Sequence, residues 1–112
     1  MNNSGQFGPT PVKQQDGSTR YFNSDGELHR KNGPAIEFPD GTRHWYFKGV
    51  LHRIGGPAIE QLDGTKQWWE NGLPHRSDGP AMEWPNGRKD WFLNGQEVSE
   101  SAVVSQVAQA VI

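Results

Sequence analysis

Three His-Arg pairs punctuate this sequence: His29-Arg30, His52-Arg53 and His75-Arg76. Each is followed, two residues on, by Gly-Pro-Ala. Imidazoles bind zinc and act as general bases near neutral pH. Three glutamates, Glu37, Glu60 and Glu83, keep the same spacing. Pairs of carboxylates hydrolyse glycosides. The spacing argues against both chemistries. Each set advances by 23 residues, and a unit of two strands moves equivalent residues about 9–10 Å apart. Ligands of one zinc ion must converge to about 2.1 Å. Carboxylates nearly 10 Å apart lie at or beyond the inverting range of about 6.5–9.5 Å. Identical acids in register also lack the contrasting surroundings that separate an acid from a base. The expectation is no catalytic residue, no metal site and no cofactor. In the structural reading, each His bonds turn backbone and each Arg pairs with a carboxylate such as the Glu of a neighbouring unit.

The chain has 112 residues, the size of one small domain. Cysteine is absent, so there is no disulfide framework and no thiolate chemistry. Net charge is -2, from 11 basic and 13 acidic side chains. That balance supplies no general attraction to nucleic acid or to an anionic membrane. No window approaches the roughly 18 apolar residues that span a bilayer. The polar opening stretch "MNNSGQFGPTPVKQQDG" lacks an apolar signal core. The expectation is a soluble, cytoplasmic protein.

The elements that position these residues follow from the repeat. The turn pairs Asp40-Gly41, Asp63-Gly64 and Asn86-Gly87 keep the step of 23, as do Trp45, Trp68 and Trp91. Gly26, Gly49, Gly72 and Gly95 mark a second turn in phase, at three steps of 23. Short segments such as "AIEF" and aromatic segments such as "HWYF" read as the two strands of a hairpin. The "PDG", "LDG" and "PNG" joints suit a type I turn closed by a glycine bulge. "DGSTRYFNSDG" (16–26) reads as a degenerate first copy, with "FGPTPVKQQ" as its worn first strand. Residues 1–15 are thus expected as a polar segment or degenerate cap, 16–95 as the repeat domain and 96–112 as a C-terminal helix.

Period-2 alternation predicts Trp45, Trp68 and Trp91 in one column, joined by Ile36, Ile59 and Met82 as core. Tyr46, Trp69 and Phe92 fall on the opposite face, and with Arg30, Arg53 and Arg76 they are the expected partner-binding residues. The Glu column is expected to face water. Beyond Gly95, Ser99 is a good N-cap, and Val98 with Val103 could form a hydrophobic staple. Val103, Val107 and Val111 form one i, i+4 row and Val104 begins the next. A helix over 99–111 is predicted, with these valines as the oligomerisation surface.

The unit W-x-x-x-G-x-x-H-R-x-x-G-P-A, with an Asp-Gly turn before the Trp, resembles the MORN-type hairpin repeats. Its nearest likeness is to variant copies in phage, viral and bacterial proteins. The resemblance spans about residues 16–95. It implies a row of antiparallel hairpins in one elongated, twisted sheet, used for binding or scaffolding and often for self-association. The signature here is HRxxGPA rather than Y-x-G-x-W, so lipid-binding or enzyme-linked roles do not transfer. The resulting expectation is a non-catalytic protein-binding module that is homo-oligomeric through the helix or a sheet edge. By analogy, it would be a phage-encoded accessory protein inhibiting a host defence factor in the host cytoplasm. A small-ligand or carbohydrate binder using surface aromatics, or a structural virion or scaffold protein, are the alternative classes.

Overall fold

The computed structural model describes residues 10–111, with side chains described as far as Ser105. Residues 1–9 of the expected N-terminal segment lie outside it. The chain is mainly β, an open array of antiparallel hairpins ending in one short helix. The strands are β1 (Thr10–Lys13), β2 (Thr19–Phe22), β3 (Ile36–Glu37), β4 (Arg43–His44), β5 (Tyr46–Phe47), β6 (Val50–Leu51), β7 (Ile59–Glu60), β8 (Lys66–Gln67), β9 (Trp69–Glu70), β10 (Leu73–Pro74), β11 (Met82–Glu83), β12 (Lys89–Leu93) and β13 (Gln96–Val98). The helix α1 follows at Glu100–Val111. Nine strands form one sheet in the order β1-β2-β3-β4-β7-β8-β11-β12-β13. The pairs β5-β6 and β9-β10 stand apart as two short ladders.

Each unit therefore builds two hairpins, and turn chemistry sets both. In the first, Phe38 and Thr42 bracket Pro39-Asp40-Gly41, and Gly41 has φ +96°. The Phe38 carbonyl accepts from Gly41 N–H, and Phe38 N–H donates to the Thr42 carbonyl. This is the expected type I turn with a glycine bulge. Asp40 Oδ1 accepts from Thr42 N–H at 2.8 Å, and Asp63 and Asn86 repeat that bond to Thr65 and Arg88. In the second hairpin both turn residues have positive φ: Lys48 at 49° and Gly49 at 84°. Asn71-Gly72 and Asn94-Gly95 follow suit. That is a type I′ turn, which suits the right-handed twist of the strands and favours Asn-Gly.

The strand between the two turns is divided at its tryptophan. Trp45 N–H donates to Ala58 in the large sheet, while the Trp45 carbonyl accepts from His52 N–H in the second hairpin. Trp68 does the same with Ala81 and His75, and Tyr21 with Ala35 and His29. One residue thus belongs to both layers, which is why β4 and β5 are separate. The second hairpins are tied to one another as well. The turn glycines Gly49, Gly72 and Gly95 donate to Leu28, Leu51 and Pro74 of the preceding unit.

Register corrects one face assignment. Ile36 pairs with His44, and Glu37 with Arg43. Directly opposed residues share a face, so Ile36, His44, Ile59, Gln67, Met82 and Asp90 form one row. Glu37, Arg43, Glu60, Lys66, Glu83 and Lys89 form a row of alternating charge on the other face. Trp45, two residues past Arg43, goes with the charged row and not with the isoleucines. Trp69 goes with the isoleucine face, where its indole donates to Gln67 Oε1 at 3.0 Å.

The core is thin. The buried apolar residues are Ala35, Ile36, Trp45, Ala58, Ile59, Ala81, Met82 and Val103. The described array extends 54 × 32 × 19 Å with a radius of gyration of 16.2 Å. A compact domain of this length would have roughly 13 Å. Both ends join the sheet, which differs from expectation only at residues 96–98. Strand β1 pairs with β2 over four residues, so Thr10–Lys13 form the first strand expected of the degenerate copy. Residues 96–98 pair with β12 and belong to the sheet also. Ser99 caps α1, its Oγ accepting from Ala102 N–H at 3.3 Å. Val103 is 1% exposed in this chain's own packing, with α1 lying against β12. It is therefore not free to form an oligomer contact.

His44 sits half-buried in the isoleucine row with Phe38 edge-on at 5.1 Å. Burial, and secondarily the charge of Arg20, pushes its imidazole below the ordinary value of 6.5. The folded chain thus binds this proton less readily than the unfolded chain. The contribution is intact above about pH 6.5 and is lost as pH falls toward the lowered folded value. The repeat-equivalent residue is Gln67. Urea unfolding should show stability falling between pH 7.5 and 5.5 more steeply in the native chain than in His44→Gln. Equal slopes would contradict the burial argument.

Candidate functional site

The Arg30, Arg53 and Arg76 side chains occupy equivalent places on the charged face. The Arg53 guanidinium carbon lies 3.9 Å from the centre of the Trp45 ring. Arg76 lies 3.9 Å over Trp68 and Arg30 4.0 Å over Tyr21. The same guanidiniums donate to backbone carbonyls: Arg30 to Pro34 at 3.2 Å, Arg53 to Pro57 at 3.0 Å and Arg76 to Pro80 at 3.1 Å. Each also pairs with the next unit's glutamate, at 3.6 Å for Glu37, 3.5 Å for Glu60 and 3.3 Å for Glu83. The expected pairing with the neighbouring unit's glutamate is present, and it leaves these glutamates half-buried where open exposure to water was expected.

The rest of the HRxxGPA word serves the same joint. A Cβ on Gly56 would stand 2.8 Å from the Arg53 guanidinium carbon, and one on Gly79 would stand 2.6 Å from that of Arg76. A side chain there would push the guanidinium from its place; the glycine's φ is not in the left-handed range. Pro57 supplies the carbonyl. Ala58 is fully buried, and its backbone bonds the strands on both sides, Trp45 and Gln67. His52 Nδ1 accepts from Asn71 N–H at 2.9 Å, and His29 and His75 accept from Lys48 and Asn94 at the same distance. Accepting at Nδ1 leaves the proton of a neutral ring on Nε2. Each histidine of the three His-Arg pairs thus holds the second turn of the next unit, at the residue with positive φ. No three His, Cys, Asp or Glu side chains stand together as metal ligands among the described residues.

The expected partner-binding residues divide. The three arginines are engaged inside the array, with 29%, 30% and 21% of their side chains exposed. Tyr46, Trp69 and Phe92 are half-buried, none of them a free ring on an open surface. On the helix, Val104 is 55% exposed, while the side chains of Val107 and Val111 lie outside the described residues.

A groove of about 550 Å³ opens between the loops that follow the first two His-Arg pairs. Trp45 and Phe47 line it together with Arg30, Lys31, Arg53 and Ile54. Phe47 packs against His29 at 4.4 Å with the rings tilted by 47° and lies 6.1 Å from His52, and the Lys48 ammonium is 5.5 Å from its ring. Ile54 is 69% exposed. Sequence reasoning missed Lys31, Phe47 and Ile54 as candidates. Their signal was available: they are positions where the repeat varies. Phe47 becomes Glu70 and Leu93 in later units, and Lys31 becomes Ile54 and Ser77. A second depression, of about 430 Å³, lies along the first turns beside Asp40, Thr42, Leu62 and Asp63.

No family model matches the chain, and no curated protein or solved structure matches it either. Among the described residues, no helix is long and apolar enough to cross a membrane.

The geometry makes the planar fork of arginine indispensable at the joint. A lysine keeps the charge but neither stacks flat nor reaches carbonyl and carboxylate together. Arg53→Lys should destabilise the chain by about 1–2 kcal/mol, close to the loss in Arg53→Ala. Urea midpoints at fixed pH check this. A lysine variant as stable as the native chain would mean that charge alone matters here.

Proposed function

We propose that this chain is a MORN-like, non-catalytic protein-binding module, and that its binding surface is the set of positions at which the units differ. One observation carries the reading. The invariant residues of the repeat are engaged in joining units, while Lys31, Phe47 and Ile54 vary and line an open groove. A scaffold that uses its repeated residues for cohesion presents its variable ones to a partner, as solenoid-like arrays do on their extended surfaces. The phage-like character of the repeats extends the proposal to an accessory protein acting on a host factor in the host cytoplasm, by analogy. Self-association belongs to the same reading, through Val104 or a sheet edge. Of the edges, β1 carries Pro11 and Lys13, residues that blunt strand pairing.

A small ligand is the competing occupant, since the groove volume falls in the range of about 300–1,000 Å³ typical of such sites. Against a carbohydrate, the Trp45 ring already carries Arg53, and Tyr46 and Trp69 are half-buried.

The test uses substitutions that the third unit already contains. Lys31→Ser with Ile54→Ser copies Ser77 into both loops. Affinity capture from host extract with the native chain should retain a protein that the double variant releases, while both melt at the same temperature. Capture that is indifferent to these substitutions would place binding elsewhere. A melting-temperature rise with sugars or nucleotides would favour the ligand class.

A further inference from the structure

Charge is unevenly spread along the array. Residues 1–55 contain seven of the 11 basic and five of the 13 acidic side chains; residues 56–112 contain four and eight. The groove lies in the basic part. Among its lining residues Arg30, Lys31 and Arg53 are cationic and none is acidic. Lys48 adds a fourth cation beside the Phe47 ring. Two carboxylates, Glu37 and Glu60, stand behind the arginines and a third, Glu27, lies beside the turn that carries Lys48, so four cations face three carboxylates. Lys31 and Ile54 are exposed, and Phe47 is half-buried at the groove floor. The corresponding place in the next unit has Glu70 instead of Phe47 and Asp78 beside Ser77. The apolar floor with a cationic rim is therefore not repeated in the next unit.

We propose that this groove takes an acidic peptide segment with one apolar side chain, the apolar group seated on Phe47 and Ile54 and the carboxylates facing Lys31 and Lys48. This rests on the protein-binding reading and names the partner's chemistry. An apolar anchor in a shallow groove supplies affinity, and complementary charge at the rim supplies selectivity and encounter rate. A nucleic acid fits less well: the cations are confined to one groove on a chain with net charge -2, and backbone tracking needs a continuous basic path.

The experiment selects a randomised dodecapeptide library against the immobilised full chain. Enriched peptides are then titrated against the native chain, Phe47→Glu, Lys31→Glu and Ile54→Ser. Phe47→Glu copies Glu70 and Ile54→Ser copies Ser77, so the repeat itself accommodates both residues. Should Phe47→Glu fail to fold, the exposed Lys31 and Ile54 carry the test. Enrichment of Asp/Glu-rich peptides with an apolar residue is expected. Their binding should weaken with salt, and weaken roughly tenfold in Lys31→Glu. Enriched peptides without acidic bias, or unaffected by all three substitutions, would overturn the inference while leaving a protein-binding role at another face standing. Equal binding of a twelve-residue oligo-dT strand in the same groove would overturn it also. If no peptide is enriched, the inference falls, and the capture experiment above decides the broader reading separately.

Discussion

The structure depends on a guanidinium laid on an aromatic ring. At each of the three joints an arginine stacks on the Tyr or Trp that serves both hairpins, bonds the proline carbonyl that leads into the next strand, and faces that strand's glutamate. The ring belongs to the residue whose N–H serves the large sheet and whose carbonyl serves the second hairpin. The interaction therefore fixes the point where the two layers divide. A cation over a ring contributes about 0.5–2 kcal/mol depending on desolvation, and a charged hydrogen bond about 1.5–3 kcal/mol. With only eight buried apolar residues identified in the described chain, terms of that size matter. The array replaces part of the aliphatic core that a compact domain of this length would have.

That economy shapes function. Histidine, arginine, glycine, proline and alanine are repeated because each is needed at every joint: one holds the next turn, one clamps, one leaves room, one accepts and one is buried between strands. No freedom is left at these positions for recognition. Recognition falls to the residues between them, which differ from unit to unit and lie at the loop tips. The last unit shows the same logic at an end. Val98 and Ser99 stand where the next His-Arg would fall, and α1 with the buried Val103 closes the array against β12.

Much of this was legible in the sequence. The step of 23, both turns in each unit, the N-cap at Ser99 and the pairing of arginine with the next unit's glutamate all follow from local chemistry. The face of the tryptophans did not follow from alternation alone, because register crosses the turn. The five-residue first turn pairs Glu37 with Arg43 and so puts Trp45 on the charged face. Lys48 at φ 49° was hidden because lysine is a poor residue for a type I′ turn. Its conformation is held from outside by His29, 19 residues away. The stacking of Arg53 on Trp45 was hidden for a related reason: it needs the strand to divide at the tryptophan, and no residue type announces that division.

The central claim is that Gly56 is glycine because Arg53 lies against it. Its backbone conformation does not demand glycine, so alanine should be costly only while the arginine is present. A double-mutant cycle on Gly56→Ala and Arg53→Ala, read by urea unfolding, measures this directly. Gly56→Ala should cost about 1–3 kcal/mol in the native chain and less than about 0.5 kcal/mol in the Arg53→Ala background. Equal costs in both backgrounds would contradict the clamp and leave the repeated His-Arg-x-x-Gly-Pro-Ala word without this physical explanation.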